Sequence, residues 1–590
     1  NNMIYAGSGS SLLDIGSVSG NIIGSSDTTE RLQFSGQALT GSAGIRIVSS
    51  SLLIVKNNVV NNVHITNPNE GSGLRGIDLE ASSSGSCIVE NNTVTNILNS
   101  GRGSGNFSIG PSTTAGLSVF VRGINTIRGN SISKIINTSA IPSVSTNVFG
   151  LLVLQSSAGT IVEKNIITEL SGSTVGTGTL ATSIVGLQTS SSAVATVVNN
   201  LISLDGGSSS DRIIVGINEQ SGTNGAVNFY YNTVNIYGTS TGSNNTFAFN
   251  RSSFARAPVV LRNNVFSNAR VAATGSNIAL ANEVTSPNTA IGWPSGASEH
   301  NALHSLNPAT LTKWGATIYD LSGYQSVSGC DLYTFAGDPG FTSNTNLIPD
   351  ASNVNCWTLN GNGIALNDVA TDILGNPRST SIFTGGTDIG AYEFDATVLP
   401  PNYNNATGAP GTYRFIHRLD TMATINVTTL GTLADLNVKY FSGEVPPGVA
   451  SNNPLTFGNG DVYWEISPTD LSNTDYTYDL TLHYSPALTG TITNERNIKV
   501  AKNNGVDTFY VPFLIEGTGP GQYQIDTSKN NITVYGLTEF SRFILTDGDI
   551  PQPVELSSFT ASVNRRDVNL NWSTSTETNN SGFDVERRIT

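Results

Sequence analysis

The chain has 590 residues, 28 of them basic and 43 acidic, for a formal net charge of −15; only 12% of its residues are charged. That negative excess repels phosphate backbones and anionic headgroups, which argues against nucleic acid or a membrane surface as partner. No apolar run reaches the roughly 18 to 20 residues of a spanning helix, so no transmembrane segment is expected. With 38% hydrophobic residues and 61 glycines, the composition suits packed cores joined by many tight turns and reads as all-β.

No charged stretch followed by an apolar one opens the chain, which therefore reads as beginning after any signal peptide or inside a larger protein. Residues 1–300 are organised by a recurring phrase. Val55-Lys56-Asn57-Asn58-Val59-Val60 returns as Val89-Glu90-Asn91-Asn92-Thr93-Val94 and Ile127-Arg128-Gly129-Asn130-Ser131-Ile132, with further copies at 18–23, 162–167, 197–202, 229–234 and 261–266. Its fourth residue is Asn21, Asn58, Asn92, Asn130, Asn165, Asn200, Asn232 and Asn264, at steps of 32 to 38 residues. Such a period marks a stacked repeat architecture.

The positions three before and two after each Asn are apolar in every copy. Five residues apart, they do not share one face of a strand of period two, so a bend intervenes, and it is expected at the Asn. A second landmark lies 14 to 16 residues upstream of the Asn: Gly44-Ile45, Gly76-Ile77, Gly116-Leu117, Gly150-Leu151, Gly186-Leu187, Gly216-Ile217 and Ala248-Phe249. These strands, with short apolar segments such as Ile97-Leu98 and Ile135-Ile136, predict a triangular coil. Stacked coils make a parallel β-helix. The Asn residues then form a buried structural ladder in which each amide donates to the next, while Lys56, Glu90, Arg128 and Glu163 form a column of alternating charge outside.

The Gly-Ile and Asn-x-Ile landmarks and the Asn column resemble the pectate-lyase-like right-handed parallel β-helix superfamily over roughly residues 1–300. That resemblance implies the fold; its members include lyases, hydrolases, adhesins and surface proteins, so it implies no single activity.

Residues 301–398 read as terminal coils and a cap, with Asn301 a ninth rung. They contain Asp338-Pro339-Gly340-Phe341, Asp372 through Arg378 and Thr387 through Phe394. This run resembles the closing segment of secreted bacterial β-helix proteins, especially from Bacteroidetes. It is expected to cover the open end of the coil stack, with Asp372, Arg378, Asp388 and Glu393 as a packing and ion-pair set. Cys330 and Cys356, in this loop-rich stretch, are candidates for a disulfide or for two separate thiols.

A Pro/Gly/Asn linker covers 399–410. Alternation at Tyr476, Tyr478, Leu480, Leu482 and Tyr484 and at Val462 and Trp464 predicts an antiparallel β-sandwich over 411–549. After Ile550-Pro551-Gln552-Pro553, residues 554–587 resemble the start of a fibronectin-type-III-like module. Such modules often precede the sorting domain of Bacteroidetes proteins exported by the type nine secretion system. The resemblance implies a secreted or cell-surface location, and an incomplete module over 550–590 reads as part of a longer polypeptide.

For chemistry, the outward positions of the Gly-Ile strands offer one carboxylate pair. Asp78 and Glu80 stand two residues apart, about 6.6 Å by strand rise, broadly compatible with an inverting glycosidase pair. Arg46 and Arg75 lie beside them. The alternative is that Asp78 pairs with Arg46 or Arg75 and that Glu80 is solvated. No polygalacturonase-like motif set, metal cluster or Ser/His/Asp triad is visible, and no cofactor is expected. Acidic turns such as Asp470 through Asp479 and Asp547-Gly548-Asp549 are Ca²⁺ candidates or simply solvated turns, and their spacing matches no defined loop. The sequence thus points to a secreted or surface structural and adhesive protein. Its expected partners are polysaccharide, extracellular-matrix components or copies of itself; the alternative is a polysaccharide lyase or glycoside hydrolase.

Overall fold

The computed structural model describes residues 2–6, 12–16, 19–25, 32–34, 42–48, 52–66, 73–81, 85–101, 113–139, 147–154, 156–173, 183–190, 195–206, 211–222, 226–284, 292–331, 334–379, 387–398, 403–404, 410–417, 420–442, 462–484, 492, 494–503, 510–547, 555–564 and 567–576. The chain divides into two compact units, 1–399 and 400–590.

The first unit is a parallel β-solenoid with three strands per coil. Sheet A contains the Gly-Ile strands, among them Ser42–Val48, Leu74–Ala81, Thr114–Val121, Asn147–Leu154 and Ser183–Ser190. Sheet B contains the strands before the Asn, such as Leu52–Lys56, Cys87–Glu90, Asn125–Arg128 and Thr160–Glu163. Sheet C contains those after it, such as Val59–Ile65, Thr93–Asn99 and Ser131–Asn137. Within each sheet a strand pairs with its counterpart one coil on, in parallel register, as in Val55↔Val89 and Ile127↔Val162.

The landmark glycines are explained by a close approach. A Cβ on Gly76 would lie 2.2 Å from Val94 Cγ1, and one on Gly116 2.4 Å from Ile132 Cγ2. Sheet C therefore presses its β-branched side chains onto the backbone of sheet A across a narrow core.

The ladder Asn residues from Asn58 to Asn301 are buried, while Asn21, on the first coil, is exposed. From Asn21 through Asn58, Asn92, Asn130, Asn165, Asn200, Asn232 and Asn264 to Asn301, each Nδ2 donates to the next Oδ1 at 2.8 to 3.0 Å. The backbone N–H of each donates to the same oxygen, for example Asn130 to Asn165 at 3.0 Å. The amide also reaches back: Asn92 Nδ2 donates to Val55 O at 2.8 Å and Asn130 Nδ2 to Val89 O at 2.9 Å. Asn301 closes the row by donating to Asp331 Oδ1 at 3.0 Å.

The bend falls one residue earlier than expected. Asn57, Asn91, Gly129, Lys164, Asn199, Tyr231, Asn263 and His300 adopt φ between 54° and 64°, which turns the chain and frees the following Asn to point inward. A second column with positive φ, at Asn62, Asn96, Lys134 and Glu169, places Ile97 and Ile135 on the same sheet C strands as the residues before them.

The end of the stack is met by a hairpin, Thr312–Trp314 with Thr317–Tyr319, and by the helix Leu321–Ser328, N-capped by the Asp320 side chain. Phe249, Trp293, Trp314 and Tyr324 fill the core there in edge-to-face contacts at 5.8 to 6.1 Å. Of the stretch 301–398 expected to form terminal coils and a cap, the hairpin and helix lie at the end of the stack, while the later part takes a different place. Its described parts, 338–379 and 387–394, run along the flank of the later coils as a strap. Asn199 Nδ2 donates to Thr371 O at 2.9 Å, Tyr231 Oη to Ile364 O at 2.9 Å, and the Ala391 N–H to Thr233 Oγ1 at 2.9 Å. Leu347, Leu359, Val369, Ile389 and Ala391 pack on Val198, Leu201, Tyr231 and Val265.

The second unit holds two antiparallel sheets that form a sandwich-like region. One orders Leu436–Ser442, Val462–Ser467, Arg542–Asp547 and Ile498–Asn503; the other orders Gly411–His417, Asp420–Thr429, Thr477–His483 and Asn531–Leu537. Tyr478, Leu480 and Leu482 are buried on alternate positions, as is Trp464, whose Nε1 donates to Met422 O at 3.1 Å. Beyond the sandwich-like region, Glu555–Asn564 and Asp567–Thr576 form a two-stranded antiparallel hairpin.

Candidate functional site

The in-register stacking of sheet A brings Arg46 beside Asp78 and sets Glu80 two residues along the same strand. Asp78 is buried and clamped from two sides. Arg46 Nη1 lies 3.2 Å from Oδ2, and Arg75 Nη1, three residues earlier on the same strand, lies 2.7 Å from Oδ1. Arg46 Nη2 also reaches Glu80 Oε2 at 3.3 Å. The four candidate residues are thus together, as two cations on two carboxylates. Each charge is compensated, and Asp78 meets guanidinium groups on both oxygens where a general acid would meet a glycosidic oxygen.

Beyond Asp78 one row of the outward face of sheet A is buried, while Phe120, Ser190 and Gln220 beside it stay partly exposed. Ser118, Leu152, Leu154, Gln188, Asn218 and Asn250 are all buried. Leu152 and Leu154 join Phe149, Val185, Val215, Phe247 and Ile278 in an apolar cluster separate from the solenoid core. Polar members of the row bond to one another. Asn218 Nδ2 donates to Gln188 Oε1 at 2.9 Å, Asn250 Nδ2 to Asn218 Oδ1 at 3.0 Å, and Lys313 Nζ pairs with Glu283 Oε1 at 2.6 Å at the far end.

Sequence reasoning missed the most buried ion pair. Glu219 and Arg251, each with a side chain fully out of solvent, approach to 3.4 Å. Arg251 Nη2 donates to Ala257 O at 2.8 Å, and Glu219 Oε1 accepts from the Ser221 N–H at 2.5 Å. Burial pushes the Glu219 carboxyl upward and Arg251 downward, and their mutual attraction opposes both shifts. The signal was the spacing: the two are 32 residues apart, the same step as Asn200 to Asn232, so coil stacking alone sets them side by side. Arg251 is thereby committed to a buried contact.

The strap has its own hub. The Arg378 guanidinium sits 3.7 Å from the centre of the Tyr231 ring. Its Nη1 pairs with Glu393 Oε2 at 3.1 Å, and its Nη2 donates to Asn199 Oδ1 at 2.8 Å and Gly390 O at 2.9 Å. Asp388 accepts from the Gly361 and Phe394 N–H groups at 2.6 and 2.7 Å; burial, then the neighbouring Glu393, holds its carboxyl well above the usual range. Asp372 accepts from the N–H groups of Leu374 and Asn376, each at 2.8 Å. These four residues bond to the chain that positions them.

Cys330 and Cys356 do not form a bridge. Both are buried free thiols in separate surroundings, Cys330 Sγ against Pro294 O at 3.2 Å and Cys356 Sγ against Ala351 O at 3.9 Å. Burial pushes each up to about 11, which removes them as thiolate nucleophiles near neutrality. Among the described residues, no three His, Cys, Asp or Glu side chains converge as metal ligands. In the acidic turns, Asp470 Oδ1 accepts from the Ser472 N–H and hydroxyl, and Asp479 bonds Gly536 and Asn426; Gly548 and Asp549 lie outside the described residues. Among the described residues, no helix is long and apolar enough to cross a membrane. Comparison of the chain with protein-family models, curated proteins and solved structures finds no match.

Proposed function

We propose that this chain is a secreted or cell-surface structural protein whose β-helix is a rigid shaft that binds carbohydrate or other extracellular surfaces or builds an extracellular assembly. The observation that carries the reading is the condition of Asp78, buried and held by Arg46 and Arg75. A glycosidase acid or nucleophile must meet the sugar, and a buried carboxylate already ion-paired with two guanidinium groups is poorly placed to do so. The buried row on the outer face of sheet A supports the same reading, because solenoid enzymes need an open groove beside their acids and bases. The polar groups of the repeat are spent on the Asn ladder and on pairs between coils, which stiffen a rod. The likeness of 550–590 to export-linked modules supports a place outside the cell.

The rival reading, a polysaccharide lyase or hydrolase centred on Asp78 and Glu80, is favoured by one fact: Glu80 is 41% exposed. A panel of acidic and neutral polysaccharides incubated with the full chain separates the two. The structural reading expects saturable retention on at least one polymer or matrix with no product released; release of oligosaccharide would overturn it.

A further inference from the structure

One long face of the shaft is left open by the strap: the outward side of sheet B over the early coils. In register from coil to coil stand Ile54, Ile88, Thr126 and Ile161, and beside them Lys56, Glu90, Arg128 and Glu163. Asp14 and Thr196 extend the first column by one rung at each end. Ile161 in this column is 36% accessible and the Arg128 side chain 47%, while Ile54, Ile88 and Thr126 are half-buried. It stops where Val198 and Tyr231 pack under Val369 of the strap.

The charge column is bonded along its length, Lys56 to Glu90 at 2.8 Å, Glu90 to Arg128 at 3.6 Å and Arg128 to Glu163 at 2.6 Å. Its order is plus, minus, plus, minus at an even rung spacing of about 4.8 Å. Turned end for end, this order becomes its own complement. A two-fold axis lying in the contact plane, along the strand direction, would set Lys56 opposite the partner's Glu163 and Glu90 opposite the partner's Arg128. The same operation sets Ile54 opposite the partner's Ile161 and Ile88 opposite the partner's Thr126. One register therefore matches both columns, as an isologous contact requires.

We infer that this face of sheet B is a self-association surface, pairing two copies of the shaft side by side and antiparallel. The inference rests on the structural-shaft reading and names the partner of that shaft as a second copy. Four rungs of short strands cover roughly 200 Å² per copy, against about 800 Å² in a standard stable interface. The pairing is accordingly weak in free solution and becomes effective where many copies are held close together.

Sedimentation velocity of the full chain over a concentration series, at low and high salt, tests this. The wild-type protein should show a reversible monomer–dimer equilibrium that weakens as salt rises. The variant K56E/E90K keeps the first intramolecular ion pair but reorders the column to minus, plus, plus, minus, which opposes like charges at all four rungs on reversal; its association should weaken at least tenfold. The variant K56E/E90K/R128E/E163R restores an alternating, self-complementary order and should recover dimerisation. Circular dichroism and melting establish that each variant is folded; if one is not, the wild-type concentration and salt series still separates the dimer from the monomer. A wild-type protein monomeric throughout, association insensitive to salt, a folded K56E/E90K dimerising as the wild type does, or a folded quadruple variant that fails to recover would each overturn the proposal. A monomeric shaft could still bind glycan without turnover, so this failure is distinct from failure of the structural reading.

Discussion

The ladder Asn is a residue whose value lies in having both a donor and an acceptor on one short side chain. Asn130 Oδ1 accepts from the Asn92 backbone and amide, while its own amide reaches Asn165 and Val89 O. Removing it strands several buried polar groups at about 1 to 3 kcal/mol each, so Asn130→Ala should lower unfolding free energy by roughly 3 kcal/mol or more in urea titration. Glu163→Gln, on the partly solvated column outside, should cost less than about 1 kcal/mol. Equal costs would show that the ladder is not the register-fixing element. His300 adds a pH term. It occupies a bend position at φ 54°, and burial, then the nearby Arg262, hold it down to about 4 from 6.5. The folded state therefore prefers neutral His300. Its contribution is complete above about 6.5 and is lost as pH falls toward 4, by up to roughly 3 kcal/mol. Asn suits the left-handed bend, so His300→Asn should flatten that part of the stability–pH curve; an unchanged slope would refute it. His304, also lowered by burial, would keep the remainder.

At the scale of elements, the repeat is legible because each coil must present an apolar residue on both sides of one bend, and those constraints recur at fixed spacing. The position of the bend is less so. The residues that take positive φ include Lys164, Tyr231 and His300 as well as Asn and Gly, so stacking imposes the conformation and side-chain preference does not reveal it. The strap is the least legible element. Its chemistry reads as a packing set, but its anchors, Asn199 and Tyr231, lie 179 and 133 residues from their partners Arg378 and Ile364, beyond any local pattern. The burial of one row on the sheet A face is hidden for the same reason, since alternation shows which side chains leave the core and not what lies above them. Arg378 is the strap's main tie. Arg378→Met should keep the solenoid intact while raising amide hydrogen exchange in 364–379 and 387–394 by an order of magnitude or more; protection equal to wild type would show that the apolar contacts suffice.

Across the whole molecule, the same economy repeats: polar groups that look available in sequence are used between coils. Asn amides meet Asn amides, Lys and Arg meet Glu along sheet B, and Glu219 meets Arg251 inside. The first unit is a parallel β-solenoid and the second a set of antiparallel sheets, an arrangement in keeping with the structural role proposed above. Asp78 is read as a structural residue, tied between coils by Arg46 and Arg75. Product release from a panel of acidic and neutral polysaccharides, measured for the full wild-type chain and for Asp78→Asn, tests it most directly. The account predicts no release from either protein, and a variant less stable by about 1 to 3 kcal/mol because Arg46 and Arg75 lose their shared anion. Release by the wild type that disappears in a folded Asp78→Asn would contradict it.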